Sequence, residues 1–302
     1  MEQTPQPTKP KSPGSDIENR EQITVSWAEK TIPKELSPEL PPRINEDSIL
    51  VDENHRAFGV FDGMGGHAKG DIASQMARNY VLTHLSAIPN GISVDEARKK
   101  LSEIIAGANK AVYVESMSDS EKRGMGTTGV VLKIHTNSKG EDFAIIANVG
   151  DSRLYEINED GTVTQLTVDD DLISEDPNLS NEEKARISKK LSEFRKKEEL
   201  SKLEGLFFNQ RNIVVRCIGY ESDLASILAF PVKRGSRFIL TSDGVPGNIT
   251  TQEIEEAIQQ SGTLEEIAEE LIKRSLDRSR EPRSEEPRAH PDDMSVVVVA
   301  CK

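Results

Sequence analysis

Three apolar segments of the sequence each run into an aspartate with glycine beside it. They are Phe61-Asp62-Gly63, Val149-Gly150-Asp151 and Thr241-Ser242-Asp243-Gly244, and a fourth acidic pair, Asp292-Asp293, precedes the last apolar segment. A carboxylate at the end of a buried strand is unfavourable unless a positive group meets it, and neighbouring carboxylates raise one another's pKa. Divalent cations relieve this repulsion, and ligation by oxygen alone favours Mg²⁺ or Mn²⁺ over Zn²⁺. The pattern predicts a metal site, although any one acid taken alone is more typical of a turn.

The charge of the chain limits its partners. Its 302 residues carry a net charge of −14. Such a surface repels nucleic acid and anionic membranes, so we predict neither as a partner. No run of about 18 apolar residues is present, which predicts no membrane-spanning helix. The first residues lack the pattern of a signal peptide, and we expect a cytoplasmic protein that acts as a monomer.

Part of the chain is expected to lie outside a packed core. Only 35% of the residues are hydrophobic and 30% are charged, which is lean for a globular protein. Residues 1–21 are rich in proline and poor in apolar side chains, which predicts a disordered tail ahead of a folded domain at 22–302. Cys217 and Cys301 lie in apolar runs and are predicted to be buried thiols, not a disulfide or a zinc site.

Four helices are predicted from apolar spacing and from capping sequences. One begins at about Asp71, where apolar residues recur at helical spacing. The other three follow the capping-box pattern, at Ser93/Glu96, Thr250/Glu253 and Thr263/Glu266. Apolar or β-branched segments without that spacing predict strands, at 23–28, 48–51, 57–61, 126–132, 143–149, 154–157, 213–219, 237–241 and 294–301.

Residues 169–204 differ in character from the rest of the chain. Charges of both signs crowd this segment, and its apolar positions are sparse. This composition predicts a mobile helical excursion from the domain. Two interpretations stay open, an ordinary solvated helix pair and a flap that faces the substrate.

Six motifs follow one another along the chain. They are Asn45-Glu46-Asp47-Ser48, Asp62-Gly63-Met64-Gly65-Gly66-His67, Met125-Gly126-Thr127-Thr128, Gly150-Asp151-Ser152-Arg153, Thr241-Ser242-Asp243-Gly244 and Asp292-Asp293-Met294-Ser295-Val296. As an ordered set they resemble the metal-dependent (PPM, type 2C) protein serine/threonine phosphatases, and the second motif resembles the bacterial branch of that family. The resemblance covers about residues 22–302. It implies an α+β fold, a four-layer α-β-β-α sandwich of two antiparallel sheets flanked by helix pairs.

The resemblance further implies two Mn²⁺ or Mg²⁺ ions at one end of the sandwich. By motif position, Asp62 would bridge the two ions and Gly63 would offer its backbone carbonyl to one of them. Asp243 and Asp292 would complete the ligands of the other ion. These four positions are thus the implied core of the metal centre.

Three more acidic residues belong to the implied centre. Glu46 and Asp47 would act close to the ions, Glu46 through metal-bound water. Asp151 matches the acid that, together with Asp243, supports a third and weaker ion in bacterial members of the family.

The implied reaction is direct attack of water on a phosphoester. Two ions would acidify a shared water and neutralise charge on the phosphoryl oxygens. His67 would protonate the departing Ser or Thr oxygen, as histidine can near neutral pH, or it would merely orient the loop at the start of a helix. Arg43 would place its planar guanidinium on the phosphate.

The chain departs from the family pattern at two places. Only Ile44 stands between Arg43 and Asn45, where the family has two residues. The final motif reads Asp292-Asp293 in place of Asp-Asn. The ligand role falls to Asp292 by its distance from the following strand, and Asp293 adds a negative charge.

The leading hypothesis is a metal-dependent phosphatase for phosphoserine and phosphothreonine in proteins. Its partners would be phosphoproteins, the targets of a Ser/Thr kinase. Two alternatives are a pseudo-phosphatase that binds phosphoproteins without turnover and a phosphatase for small phosphoesters. The segment 169–204 is where we expect substrate choice to be determined.

Overall fold

Two antiparallel β-sheets lie face to face in the computed structural model, which describes residues 23–35, 43–64, 69–220 and 225–302. The first sheet has the strand order β1-β11-β10-β7-β8. Its strands are β1 (Val25–Ile32), β7 (Arg153–Ile157), β8 (Val163–Gln165), β10 (Arg237–Thr241) and β11 (Met294–Cys301). The predicted disordered tail at 1–21 and the predicted general acid His67 lie outside the described residues.

The second sheet has the order β2-β3-β5-β6-β9, and a short strand β4 pairs with β3. Its strands are β2 (Asp47–Asp52), β3 (Ala57–Met64), β4 (Gly126–Thr127), β5 (Gly129–Thr136), β6 (Asp142–Val149) and β9 (Ser226–Pro231). The core between the sheets contains Phe58 and Leu132 of this sheet together with Phe238 and Val299 of the other. The two sheets therefore share one apolar interior.

Helices cover both outer faces. Helices α1 (Gly70–His84) and α2 (Val94–Ser116) pack on the second sheet. Helices α5 (Thr251–Gln260) and α6 (Leu264–Ser279) pack on the first. All four begin where the sequence predicts, and α5 and α6 have complete capping boxes. The predicted four-layer α-β-β-α sandwich is confirmed.

Strand β11 shows why the chain can bury a run of valines. All eight of its residues are buried, because it lies between β1 and β10 and has cover on both faces. Val296 and Val298 face the helices, whereas Val297 and Val299 face the second sheet. A continuous apolar run is the expected sequence for such a strand.

Two strand predictions need correction. The segment 213–219 forms only isolated bridges, from Val214 to Asp171 and from Ile218 to Thr127. It ends at Gly219, whose φ of 106° is unfavourable for a residue with a side chain. The strand that pairs with β6 at one edge of the second sheet is instead β9, whose half-exposed side chains give little apolar signal. Strand β3 also continues past Phe61, so Asp62 lies within the strand and pairs with Asp47.

The predicted excursion is helical and folds back on the domain. It contains α3 (Asn181–Glu193) and α4 (Lys202–Asn209), and we use the name helical excursion for residues 169–212. Phe194 and Phe208 pack edge to face at 4.6 Å in its interior. Arg288, from the segment before β11, donates to the Leu191 carbonyl at 2.8 Å. Within the described residues, no helix is both long and apolar enough to cross a membrane.

Candidate metal centre

Asp62 is held in place through its backbone. Its N–H donates to Thr128 Oγ1 at 3.1 Å, and its carbonyl accepts from Thr127 Oγ1 and from the Thr128 N–H, each at 2.8 Å. The two threonines belong to the segment between β3 and β5. The Gly-Thr-Thr motif therefore fixes the part of β3 that presents Asp62.

Glycine is required where three backbone segments meet beside Asp62. The Gly63 N–H donates to the Glu46 carbonyl at 3.1 Å. A Cβ on Gly63 would lie 2.5 Å from that same oxygen and would collide with the carbonyl of Gly70 at the start of α1. A Cβ on Gly244 would likewise collide with the carbonyl of Asp293. The glycines beside the acids thus allow the motifs to approach one another closely.

Four aspartates converge at this place. The charges of Asp243 and Asp292 both act on the carboxyl group of Asp62, and Asp243, His290 and Asp292 offer ligand atoms within 4.8 Å of one another. The negative charge of Asp151 reaches both Asp62 and the cluster around Asp243. The structure therefore brings together the four acids that the sequence predicts at a common site.

The electrostatics of the cluster are those of crowded carboxylates. Burial, and then the charges of neighbouring acids, raise the pKa of Asp62 and of Asp151 well above the ordinary value. Burial and the charge of Asp292 raise the pKa of Asp243 to about 6. Burial also acts to raise the pKa of Asp292, but His290 and Lys34 more than offset it and the pKa is lowered.

Asp47 and Glu46 lie at the side of this cluster. Asp47 is buried, and its Oδ2 accepts from Ser242 Oγ at 2.7 Å. Its Oδ1 is also buried, yet no described residue donates to it, and burial raises the pKa of Asp47 to about 8. Burial, followed by the charges of Asp293 and Asp71, raises the pKa of Glu46. The carboxyl groups of Asp47 and Glu46 could therefore both bind a positively charged group.

Asp151 lies at a tight turn after β6. The turn needs Gly150, whose φ is 96°. The Gly150 N–H donates to Asp170 Oδ2 at 2.9 Å, and Arg216 pairs with the other oxygen of Asp170. Asp151, which is 6% exposed, is thereby positioned from the base of the helical excursion.

Two residues of the centre were missed or misjudged by sequence reasoning. The side chain of Asp293 accepts the N–H of Lys34 at 2.6 Å and that of Glu46 at 2.8 Å, so it fixes the loop that carries Glu46. His290 places Nε2 2.9 Å from Asp292 Oδ2. Arg283 donates to His290 Nδ1 at 2.7 Å, which leaves the proton on Nε2. A histidine two positions before a predicted ligand is the signal that could have indicated this role.

Arg43 has a different setting from the acids. It is exposed, and its neighbour Ile44 is 73% exposed. No described contact joins Arg43 to the carboxylate cluster. Its predicted role at the phosphate stays a prediction.

The donor set fits a hard divalent cation. Apart from His290 Nε2, it contains carboxylate and carbonyl oxygens at the positions named above, the donors that Mg²⁺ and Mn²⁺ prefer. Asp62, Asp243 and Asp292 each keep part of their surface open, and Asp47 has a buried oxygen without a described donor. A cation would relieve both the mutual repulsion and the unmet oxygen.

The fold and the oxygen-rich centre define a protein of the phosphatase class. A family model described as protein phosphatase 2C matches residues 43–285. The chain belongs to the protein phosphatase 2C family, which confirms the resemblance seen in its motifs.

Curated relatives and solved structures agree with this membership. The chain is 30% identical over 232 residues to the serine/threonine phosphatase stp of Listeria innocua, covering 76% of this chain and 82% of the relative. Its fold matches the crystal structure of Stp1 from Staphylococcus aureus with a TM-score of 0.71 at 22% identity, covering 93% and 96% of the two chains. It also matches the catalytic domain of PstP in complex with two manganese ions, with a TM-score of 0.68 at 23% identity and coverage of 93% and 99%.

Proposed function

We propose that this chain is a metal-dependent protein phosphatase that hydrolyses phosphoserine and phosphothreonine monoesters. The observation that carries the proposal is the convergence of Asp62, Asp151, Asp243 and Asp292 at one end of the sandwich, in a chain of the protein phosphatase 2C family. Isolated turn acids would not converge in this way. Relatives named as serine/threonine phosphatases support the same substrate class.

The residues proposed to hold two Mn²⁺ or Mg²⁺ ions are Asp62, the Gly63 carbonyl, Asp243 and Asp292. Glu46 and Asp47 would assist them, and Asp151 with Asp243 would hold a possible third ion. When bound, such ions supply the acidification of water and the neutralisation of charge on the phosphoryl oxygens. The PstP neighbour bound to two manganese ions supports this assignment.

The protein's own part in the reaction is positioning and proton transfer. Thr127 and Thr128 hold Asp62 at a fixed point of β3, and Asp293 holds the loop of Glu46. Arg43 is proposed to bind phosphoryl oxygens, and His67 to protonate the leaving Ser or Thr oxygen. A nucleophilic cysteine is not needed, and burial raises the pKa of Cys217 to about 12, which keeps it an inert thiol.

The proposed partners are phosphoproteins made by a Ser/Thr kinase, and the proposed setting is the cytoplasm, with the chain acting as a monomer. The net charge of −14 supports a choice of protein substrates over nucleic acid. Rates on phosphopeptides and on small metabolite phosphates would separate a protein phosphatase from a phosphatase for small phosphoesters. The protein phosphatase should prefer the peptides in kcat/KM.

The test of the proposed function is turnover of an aryl phosphate with and without divalent metal. Activity should require Mn²⁺ or Mg²⁺ and disappear on chelation. Loss of a residue that only supports a metal ligand costs up to roughly a hundredfold in activity. Asp62→Asn removes a proposed ligand itself, so it should lower kcat by more than this factor. The matched control is Asp160→Asn in the exposed β7–β8 turn, which should keep full activity. A fully active Asp62→Asn enzyme would refute the assignment, and binding of metal without any turnover would favour a pseudo-phosphatase.

A further inference from the structure

A cavity of about 840 Å³ lies between the metal centre and the helical excursion. Asp151, Asp243 and His290 line it on the side of the sheets. Arg211, Lys184 and other side chains of the excursion line it on the opposite side. The carboxylates that would hold metal thus share one cavity with cationic side chains of the helical excursion.

Arg211 has an unusual environment in this cavity. Its guanidinium lies over the ring of Phe208, with 4.1 Å from Cζ to the ring centroid. Its Nη1 donates to the Phe208 carbonyl at 3.0 Å. These two contacts hold both the plane and one edge of the group, so its orientation is set by α4.

The opposite edge of Arg211 is unused. Nε and Nη2 are both buried, and no described residue accepts a hydrogen bond from either. The other arginines that line the cavity have acceptors. Arg153 pairs with Asp169 at 2.6 Å, and both Nη atoms of Arg288 donate to backbone carbonyls. A buried cation with two free donors is costly unless an anion meets it.

The charge around Arg211 points to the metal centre. Burial and the charge of Arg283 lower the pKa of Arg211 to about 10, while Asp243 and Asp292 act to raise it. The group is therefore still a cation at neutral pH. It lies within electrostatic reach of two proposed metal ligands and forms no ion pair with either of them.

We propose that Arg211 binds the phosphoryl group of the substrate through Nε and Nη2. This side-on pair of donors matches two oxygens of a phosphate, and such charge-assisted pairs are strong and directional. The inference rests on the proposed phosphatase function and extends it, since it makes the helical excursion part of the phosphate site. Arg211 and the sheet-borne carboxylates would then hold the phosphoryl group from opposite sides of the cavity.

The test compares Arg211→Met and Arg211→Lys with the wild-type protein, loaded with Mn²⁺ and assayed with an aryl phosphate. Inorganic phosphate is the second probe, as a competitive inhibitor. Loss of a charge-assisted pair should raise the KM for the ester and the inhibition constant for phosphate by the same factor, about tenfold or more for Arg211→Met. Arg211→Lys keeps the stem and the charge but not the paired donors, and it should raise both constants at least about threefold.

The matched control is Arg186→Met, which removes the same charge from α3 of the excursion. Arg186 is exposed, with its side chain 66% accessible and paired with Glu204. Arg186→Met should leave the KM for the ester and the inhibition constant for phosphate unchanged. A lower thermal stability of Arg211→Met with an unchanged inhibition constant for phosphate would mean a purely structural role and overturn the inference. Should Arg211→Met fail to fold, Arg211→Lys decides by the same two constants.

Two further results have distinct meanings. An effect of Arg211→Met on acidic phosphopeptides alone, with the aryl phosphate unaffected, would place the guanidinium on a peptide side chain and overturn the inference. A wild-type protein without metal-dependent turnover would refute the proposed function itself. An active wild type with unaltered constants in both Arg211 variants would refute only the role of Arg211.

Discussion

At the scale of single residues, the centre depends on positions that have no side chain as much as on its acids. Gly63 and Gly244 let β3, the loop of Glu46 and the loop of Asp293 pass within contact of one another. Asp293 then uses both of its oxygens on backbone N–H groups of the N-terminal region. The ligands are thus placed by backbone packing around them.

Gly63→Ala should destabilise the domain by roughly 1–3 kcal/mol, the usual cost of an overpacked site. The new methyl group would displace Glu46 or Gly70, and metal-dependent activity should fall with stability. Unfolding in urea and an assay of activity against Mn²⁺ concentration measure the two effects.

The control is Gly205→Ala in α4, where a Cβ meets nothing within 4 Å. This substitution should be neutral or stabilising by up to about 1 kcal/mol. Equal effects of the two substitutions would contradict the crowding argument.

Asp151→Asn should lower turnover while the two tighter ions remain bound. The substitution removes one charge from the cluster but leaves Asp62, Asp243 and Asp292 in place. Calorimetric titration with Mn²⁺ should show the loss of a weak binding event only. Loss of all binding would show that Asp151 supports the core pair as well.

At the scale of elements, local sequence determines where helices begin, and contacts between distant residues determine where the connecting segments are held. The capping boxes of α3, α4, α5 and α6 are all complete. The excursion, by contrast, is anchored by Asp170, which accepts the Gly150 N–H and pairs with Arg216. The Val215 N–H also donates to the Asp170 carbonyl at 2.8 Å. Asp170 therefore joins the start of the excursion, the segment of Val215 and Arg216 that follows it, and the turn of Asp151.

Asp170→Ala should loosen the excursion and weaken Mn²⁺ binding at the proposed third site by about 10- to 100-fold, as loss of outer-shell partners does. Limited proteolysis should show faster cleavage within 169–212. Glu182→Ala is the control, because Glu182 is exposed in the same excursion and has the same charge. Unchanged proteolysis and metal affinity in Asp170→Ala would show that the excursion is held by its apolar contacts alone.

At the scale of the whole molecule, two sheets and four helices form three apolar cores in four layers. Polar groups inside these layers affect the stability of the entire domain. Lys133 lies on β5 between β3 and β6 and is 2% exposed. Its Nζ donates to the His55 carbonyl at 2.8 Å. Burial, and then the charge of Arg56, lower its pKa from 10.5 to about 8.

Lys133 should therefore make stability depend on pH in the alkaline range. Below about pH 8 the buried Lys133 amine is charged in the folded state, and burial of this charge destabilises the fold to its full extent. Between about pH 8 and pH 10.5 the Lys133 amine binds more protons in the unfolded chain than in the folded one. The contribution of Lys133 to the free energy of unfolding therefore rises with pH over this range. Lys133→Met should be more stable than the wild type by about 2 kcal/mol at pH 7, with a smaller difference at pH 9.5. Urea unfolding at the two pH values tests this, and a difference independent of pH would contradict it.

The sequence by itself determined the helix starts and the order of the metal motifs. These two features depend on local periodicity, on capping residues three positions apart and on acids beside glycine, all of which can be read within a few residues. The class of fold was implied by the resemblance of the ordered motifs to a known family. The same local signals predicted Asp62, Asp151, Asp243 and Asp292 as one set. They could not reveal β9, because a half-exposed edge strand shows no strong apolar pattern.

Only the tertiary structure decided which groups surround the acids. The contacts of Asp293 with Lys34 and Glu46 join positions about 250 residues apart, and the contact of Asp170 with Gly150 joins the excursion to the turn after β6. The two free donors of Arg211 are visible only once α4 and the sheets face a common cavity. Such relations depend on distances between remote segments, and no local pattern in a single sequence encodes those distances.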